Sequence, residues 1–520
     1  MKSLKELLLW TESGFGANDA IIDLDRGVRW TYADLNAASR SVCASYAEGG
    51  IVKNDRVGWL AMAPGADVTA LSFGARKMGA IPVGMNGRAA PEQVAWMINN
   101  VGLSALSYSG ECVDLLDRLL EIGIPTVRHF IAMDKPHDDS HATLSTVYER
   151  YAGADEPTAD IAPDDIALII YTSGSTGRPK PVMHSEANWL ETMMVSAFAW
   201  GSNFTDRFLN ILPPHFAGWA HVTGATLRAG SAAVCLRFDP ASIAASIVSE
   251  GVTQVALTPT LVRMIQEAVP DLVGFGQGNN VRTAMLGGEF ANDEVLETLT
   301  RLFPRMRLLG SYGATEAVAL YTGVGNPRIG SDGRLVGKPL PGVTVELRDT
   351  ESGEVVTKAG RPGEMFVRGP VAVGIWGDEA ATAKNFPDGW WRSGDLMERD
   401  EEGYYFIAGR SDNVFKSGAI KIQCEEVEAI LKTHPSVLDV VVVPVPDTRF
   451  GYVPHAFVRS DHELTGDELE QYWRGRPDAA PYARPRHWTM WGSAPFPMVT
   501  AAKVDRHLLR GRAQEACPVG

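Results

Sequence analysis

Tyr171-Thr172-Ser173-Gly174-Ser175-Thr176-Gly177-Arg178-Pro179-Lys180 is the stretch from which the rest of the chain can be read. It follows Ile166-Ala167-Leu168-Ile169-Ile170, a short unbroken apolar run of the kind that forms a buried strand. A buried strand that empties into a loop of hydroxyls and glycines, closed by a cation, is shaped to wrap phosphate. The glycines let main-chain N–H groups approach an anion, the hydroxyls add donors, and Lys180 brings charge. This is not a Walker loop: Lys180 stands three residues beyond Gly177 and behind Pro179, so the G-x-x-x-x-G-K-[S/T] spacing is missing. Thr172, Ser173, Gly174, Ser175, Thr176, Gly177 and Lys180 are the candidate phosphate contacts of this loop.

Outward from the loop, strands and helices alternate from the N-terminus to about residue 310, the pattern of doubly wound, mostly parallel sheets in an α/β protein. Thr31 is the expected N-cap of an early helix. From about 325 to 410 glycine and proline punctuate short strands, which reads as a small antiparallel, barrel-like β unit. A compact α+β piece follows. The expected division is a core of residues 1–411 and a small mobile domain of residues 412–520.

The 520 residues suggest three or four structural units, and 45% hydrophobic with 21% charged residues is a soluble globular composition. A net charge of −15 without a basic run argues against a nucleic-acid partner. No apolar stretch approaches membrane-spanning length, and Leu7-Leu8-Leu9-Trp10 is too short for a signal-peptide core. The five cysteines are scattered without C-x-x-C spacing, which points to reduced thiols and a cytoplasmic location. Metal-site spacings of the H-E-x-x-H kind are missing.

Four further segments carry chemistry. Ser311-Tyr312-Gly313-Ala314-Thr315-Glu316 puts a hydroxyl beside a carboxylate after a strand, suited to a phosphate contact next to Mg²⁺, which favours hard oxygen ligands. Leu286-Gly287-Gly288-Glu289-Phe290 is a glycine-rich turn just upstream. Trp390-Trp391-Arg392-Ser393-Gly394-Asp395 offers a carboxylate that can bind the two vicinal hydroxyls of a ribose, and Arg410 follows in Phe406-Ile407-Ala408-Gly409-Arg410. Pro497-Met498-Val499-Thr500-Ala501-Ala502-Lys503 closes the series.

Together, in this order and across most of the chain, these segments resemble the motifs of the adenylate-forming superfamily: acyl- and aryl-CoA ligases, adenylation domains of peptide synthetases, and luciferases. The resemblance implies ATP-dependent activation of a carboxylic acid, aryl or small to medium acyl, as an acyl-adenylate with pyrophosphate release, then transfer to a thiol. It implies that Tyr312 stacks on adenine, Gly288 and Glu289 border it, Thr315 contacts the α-phosphate, Glu316 holds Mg²⁺ and Asp395 binds ribose. Arg410 matches the arginine of the G-R-x-D motif, Asp412 its hinge residue, and Lys503 the lysine that reaches in from the small domain. His215 falls where relatives have a histidine near the acyl pocket, and Trp189 and Trp219 are candidate walls, which favours an aryl or medium-sized acid.

Two departures stand out. Ala502 replaces the usual glycine before Lys503, which bears on the geometry of that tip. Ala419 falls where thioester-forming relatives carry a glycine beside the pantetheine tunnel, with Gly418 one place early. The acceptor is therefore open between CoA, favoured by the stand-alone length without an appended carrier domain, and a carrier-protein thiol or a non-thiol nucleophile. Oligomeric state leaves no mark in the sequence.

Overall fold

The structure, a computed structural model, describes residues 1–172, 179–287, 293–317, 334–417, 420–477, 479–500 and 503–516, with the main chain only at Ser311, Asp412, Lys421, Val499, Thr500 and Lys503.

Two twisted sheets form the bulk of the chain. The first has eight strands, in the order Gly374–Ile375, Lys180–Ser185, Ile166–Thr172, Ile81–Met85, Arg56–Leu60, Leu103–Tyr108, His129–Ala132 and Ala142–Thr143. The second has seven: Arg307–Ser311, Thr283–Gly287, Gln254–Leu257, Arg207–Asn210, Ala232–Cys235, Asp19–Asp23 and Val28–Thr31. Pairing is parallel except at one end of each sheet, where Lys180–Ser185 and Val28–Thr31 run antiparallel to their neighbours. Parallel neighbours need long crossovers, and the helices supply them.

Five helices, Leu4–Phe15, Tyr32–Glu48, Ala66–Lys77, Glu186–Trp200 and Ala217–Arg228, feed a core shared with Trp59 and Leu168 of the first sheet and Ile21 and Ala233 of the second. Their starts follow the sequence: Thr31 and Asp34 form the reciprocal cap of Tyr32–Glu48. Ala66–Lys77 is buried along its whole length, Arg76 and Lys77 included. Lys77 is neutralised by Glu156 at 2.7 Å.

The β-rich region is a five-stranded antiparallel sheet ordered Leu335–Gly337, Tyr405–Arg410, Trp391–Arg399, Gly363–Arg368 and Thr344–Arg348. Beyond it, strands Val414–Ser417, Ile420–Gln423, Asp439–Asp447, Gly451–Arg459 and His487–Gly492 form a sheet of their own. Helices Cys424–Lys432, Gly466–Arg474 and Arg506–Ala516 belong to this last unit. Arg506 ties it together, bidentate to Glu428 at 2.6 and 2.8 Å and donating to the Val442 carbonyl at 2.9 Å.

Among the described residues no helix is long and apolar enough to cross a membrane.

Candidate active site

The glycine-rich stretch between Thr172 and Lys180 does not lead into a helix. Ile166–Thr172 turns back as the antiparallel strand Lys180–Ser185, and Thr172 and Lys180 are direct cross-strand partners. The ladder therefore pins both ends of the loop side by side, hydroxyl opposite ammonium. Ser173, Gly174, Ser175, Thr176 and Gly177 lie between them, outside the described residues, as do Gly288 and Glu289.

Thr172 and Lys180 open onto a cavity of about 670 Å³ that is also lined by Thr315, Glu316, Asp395 and Arg410. Three stretches far apart in sequence thus meet at one space. Thr315 and Glu316 come from the turn after strand Arg307–Ser311, which stands at the end of the seven-stranded sheet. Asp395 and Arg410 are cross-strand partners in the antiparallel sheet.

Arg410 Nη1 donates to Asp395 Oδ1 at 2.7 Å, and the Tyr312 hydroxyl donates to Asp395 Oδ2. Asp395 is thereby held on both oxygens, with its main-chain N–H on Ser393 Oγ at 3.0 Å. Gly394 between them has φ +73°, and a Cβ there would press on the Arg410 guanidinium at 3.0 Å. The Ser-Gly-Asp order is a steric requirement at that point of strand Trp391–Arg399. Burial, followed by the Asp395 carboxylate, raises the Tyr312 phenol well above its ordinary range, so it stays a donor.

Glu316 is half-buried at the cavity wall. Burial pushes its carboxyl above the ordinary value, against the pull of its own main-chain N–H, Lys180 and Arg410. A second carboxylate, Glu364, is 3% exposed and faces the same cavity, but Arg392 covers it with bonds of 2.7 and 2.8 Å.

One positioning residue carries no motif. His184 is fully buried in strand Lys180–Ser185, and its Nε2–H donates to the Thr315 carbonyl at 2.9 Å. Burial lowers its pKa to about 4, so the ring is neutral and the proton sits on Nε2. Its position four residues after Lys180, at even spacing on a strand, was the available signal. The Ala372 N–H donates to the Glu316 carbonyl at 2.7 Å and fixes the other side of the Thr-Glu pair.

The acyl-pocket candidates divide. His215 and Trp219 line one small cavity together with Trp59, Arg76 and strand residues Leu168–Ile170. Trp219 packs edge-on against Trp59 at 5.7 Å. Trp189 stands elsewhere, fully buried against the His184 ring at 4.8 Å. Asp412 lies in the short turn Ser411–Asn413 between the antiparallel sheet and the last unit. Around it Asn413 donates to Glu425 at 2.5 Å and Gln423 to the Ala408 carbonyl. Lys503 opens the strand Lys503–Val504, paired with Met498–Thr500, and its side chain lies outside the described residues. Gly418, Ala419 and Ala502 lie outside them as well.

The family described as AMP-binding enzyme matches residues 10–376, and the one described as AMP-binding enzyme C-terminal domain matches residues 426–497. A 3-hydroxybenzoate–CoA ligase from Aromatoleum sp. (strain CIB) is 30% identical over 83% of this chain and 81% of its own length. The long-chain-fatty-acid–CoA ligase FadD13 of Mycobacterium tuberculosis is 27% identical over 87% of this chain and 88% of its own. Among solved structures, the anthranilate CoA ligase AuaEII in complex with anthranoyl-AMP superposes with a TM-score of 0.82, covering 99% of this chain and 98% of that one at 22% identity.

Proposed function

The chain belongs to the family of AMP-binding enzymes, and from that premise we propose that it activates a carboxylic acid with ATP and then transfers the acyl group to the thiol of CoA. The observation that carries this reading is the convergence of Thr172, Lys180, Thr315, Glu316, Asp395 and Arg410 on one cavity large enough for a nucleotide. The names of the relatives, aryl- and acyl-CoA ligases, support the choice of acid and acceptor.

A carboxylate is a poor electrophile because the group it would expel is oxide-like. Attack of its oxygen on the α-phosphorus of ATP forms one P–O bond, breaks the bond to pyrophosphate, and leaves a mixed anhydride whose AMP departs readily. Two anions must approach each other for this to happen. Thr172, Lys180 and the loop between them would hold phosphate oxygens, Asp395 the ribose hydroxyls, Tyr312 the adenine face, and Lys503 the oxygens of the reacting groups. Catalysis on this scheme is positioning and charge stabilisation.

The donor set suits Mg²⁺ bound mainly through phosphate. Glu316 supplies one carboxylate at the cavity, and among the described residues no group of three His, Cys, Asp or Glu side chains forms a protein cage. Glu316, the carboxyl that burial penalises when no cation stands beside it, would hold the ion, which would neutralise phosphate charge.

In this reading residues 1–411 form the adenylating core and 412–520 a unit that pivots at Asp412, withdrawing Lys503 to admit the thiol. The four described cysteines, Cys43, Cys112, Cys235 and Cys424, are free and buried, which supports a reducing cytoplasmic setting. The bulk of Trp219 and Trp189 favours an aryl or small to medium acyl acid. A carrier-protein thiol is the second reading, favoured by Ala419 alone. Pyrophosphate release over a panel of carboxylic acids, with and without CoA, tests both. Acid-dependent release followed by CoA-dependent AMP release supports the first. Adenylate formation that CoA does not drain supports the second.

A further inference from the structure

The cavity beside His215 holds a charge that the fold leaves unanswered. Arg76, on helix Ala66–Lys77, is 4% exposed and lies over the Phe73 ring at 5.3 Å. Its Nε has no hydrogen-bond partner, and among the described residues no carboxylate comes within ion-pairing distance of the guanidinium. The carboxylate whose field does reach it, Glu186, is engaged elsewhere, accepting from the Leu4 N–H at 2.6 Å. Burial lowers the Arg76 pKa only to about 10, so the side chain remains a cation at neutral pH. Its neighbour Lys77, equally buried, has Glu156; Arg76 has no such partner among the described residues.

Two other side chains at the cavity are unpaired as well, an indole N–H and a neutral imidazole that offers one N–H and one acceptor nitrogen. Trp219 Nε1 and both ring nitrogens of His215 are buried without partners. Trp59, by contrast, satisfies its N–H on the Pro214 carbonyl at 3.3 Å. Free space there is about 10 Å³, room for one water-sized sphere. Leu168–Ile170 form one wall, and the strand they belong to ends at Thr172 in the nucleotide cavity. At about 3.3 Å per residue, the donor cluster lies ~7–13 Å back along the strand from that end.

We propose that this cavity is the closed form of the distal subsite of the acyl pocket, one water wide here and widened by an entering acid, and that Arg76, with Trp219 and His215, then binds a carboxylate-type anion there: a second carboxylate carried by the acid that is activated at Thr172. The proposal rests on the acid-activation reading above. A buried guanidinium without a counter-charge is costly to the fold, and a planar carboxylate matches its fork with two parallel bonds. A small free anion held beneath a monocarboxylic acid would use the same chemistry, and formate stands in for it in the test.

Pyrophosphate release is measured for length-matched monocarboxylic and α,ω-dicarboxylic acids, and for benzoate against the phthalate isomers, in the wild type, Arg76→Met and Arg76→Lys, with and without formate. Intrinsic fluorescence of the 13 tryptophans, Trp59 and Trp219 at the cavity among them, follows binding of the same acids independently of turnover. The expected result is a preference of about 10- to 100-fold in kcat/KM for a dicarboxylate, lost in Arg76→Met and partly kept in Arg76→Lys, with a saturable fluorescence change lost in the same order. Rescue of monocarboxylic acids by formate identifies the free anion as the source. Equal handling of both acid classes by the wild type, with no fluorescence change for dicarboxylates or formate, overturns the subsite. Silence towards every acid in the pyrophosphate assay sinks the activation reading instead, and the fluorescence titration still decides the subsite. Should Arg76→Met fail to bind AMP, the wild-type ratio and titration decide alone.

Discussion

His184 donates its Nε2–H to the main-chain carbonyl of Thr315 at 2.9 Å, joining the strand that begins at Lys180 to the turn that carries Glu316. The two residues are 131 apart in sequence, and the bond locks two walls of the cavity lined by Lys180 and Thr315 in register. His184→Leu removes the donor and leaves a buried carbonyl unpaired, a loss of about 1–3 kcal/mol. The expected outcome is a lower urea midpoint together with a raised KM for ATP. Loss of stability with an unchanged KM would show that the bond supports the fold without positioning the Thr-Glu turn.

Asp395 accepts from both Arg410 and Tyr312. Asp395→Asn should weaken AMP binding by about 10- to 100-fold in calorimetry, and Tyr312→Phe by less, since a neutral hydrogen bond contributes about 1 kcal/mol. Because the two residues share a bond, the double variant should show a coupling of about 0.5–3 kcal/mol. Strict additivity would contradict the shared role.

Lys503→Ala should reduce adenylate formation by about 100-fold or more while sparing the use of a preformed acyl-adenylate. Asp412→Pro should do the opposite, because proline stiffens the turn Ser411–Asn413 between the two sheets. Stopped-flow pyrophosphate release and single-turnover thioester formation separate the two steps. Equal damage to both steps in each variant would remove the assigned division of labour.

Acid should unfold this protein early. His184, His215 and His455 are buried with pKa values lowered to about 4, and His221 to about 3, from an ordinary 6.5, each chiefly through burial. The unfolded chain therefore takes up protons below pH 6.5 that the native state refuses until about pH 4. Stability present above 6.5 is lost as pH falls through that window, by up to about 3 kcal/mol for each ring. Glu186, raised to about 7 from 4.5 by burial, acts in the other direction, its contribution fading as pH rises through 7. Thermal midpoints should fall steeply between pH 6.5 and 4, and His455→Gln should flatten the slope. A midpoint independent of pH across that range would refute the assignment.

The division of roles between sequence and fold follows from distance along the chain. Phosphate recognition needs main-chain N–H groups, hydroxyls and a charge within a few residues of each other, so the Thr172–Lys180 stretch, the Thr315-Glu316 turn and the Ser-Gly-Asp395 segment could be proposed from linear patterns. The order of strands and helices was readable for the same reason, since capping at Thr31 and apolar runs such as Ile166–Ile170 are local. What the tertiary structure decided was pairing and shape. Thr172 beside Lys180, Asp395 beside Arg410, and His184 under Thr315 depend on which strands lie next to each other. Arg76 illustrates the limit: in sequence it is one charge on a helix, where solvent is the ordinary partner. Only packing between two sheets makes it a buried cation with no carboxylate partner among the described residues, because burial is a property of the whole assembly rather than of any segment.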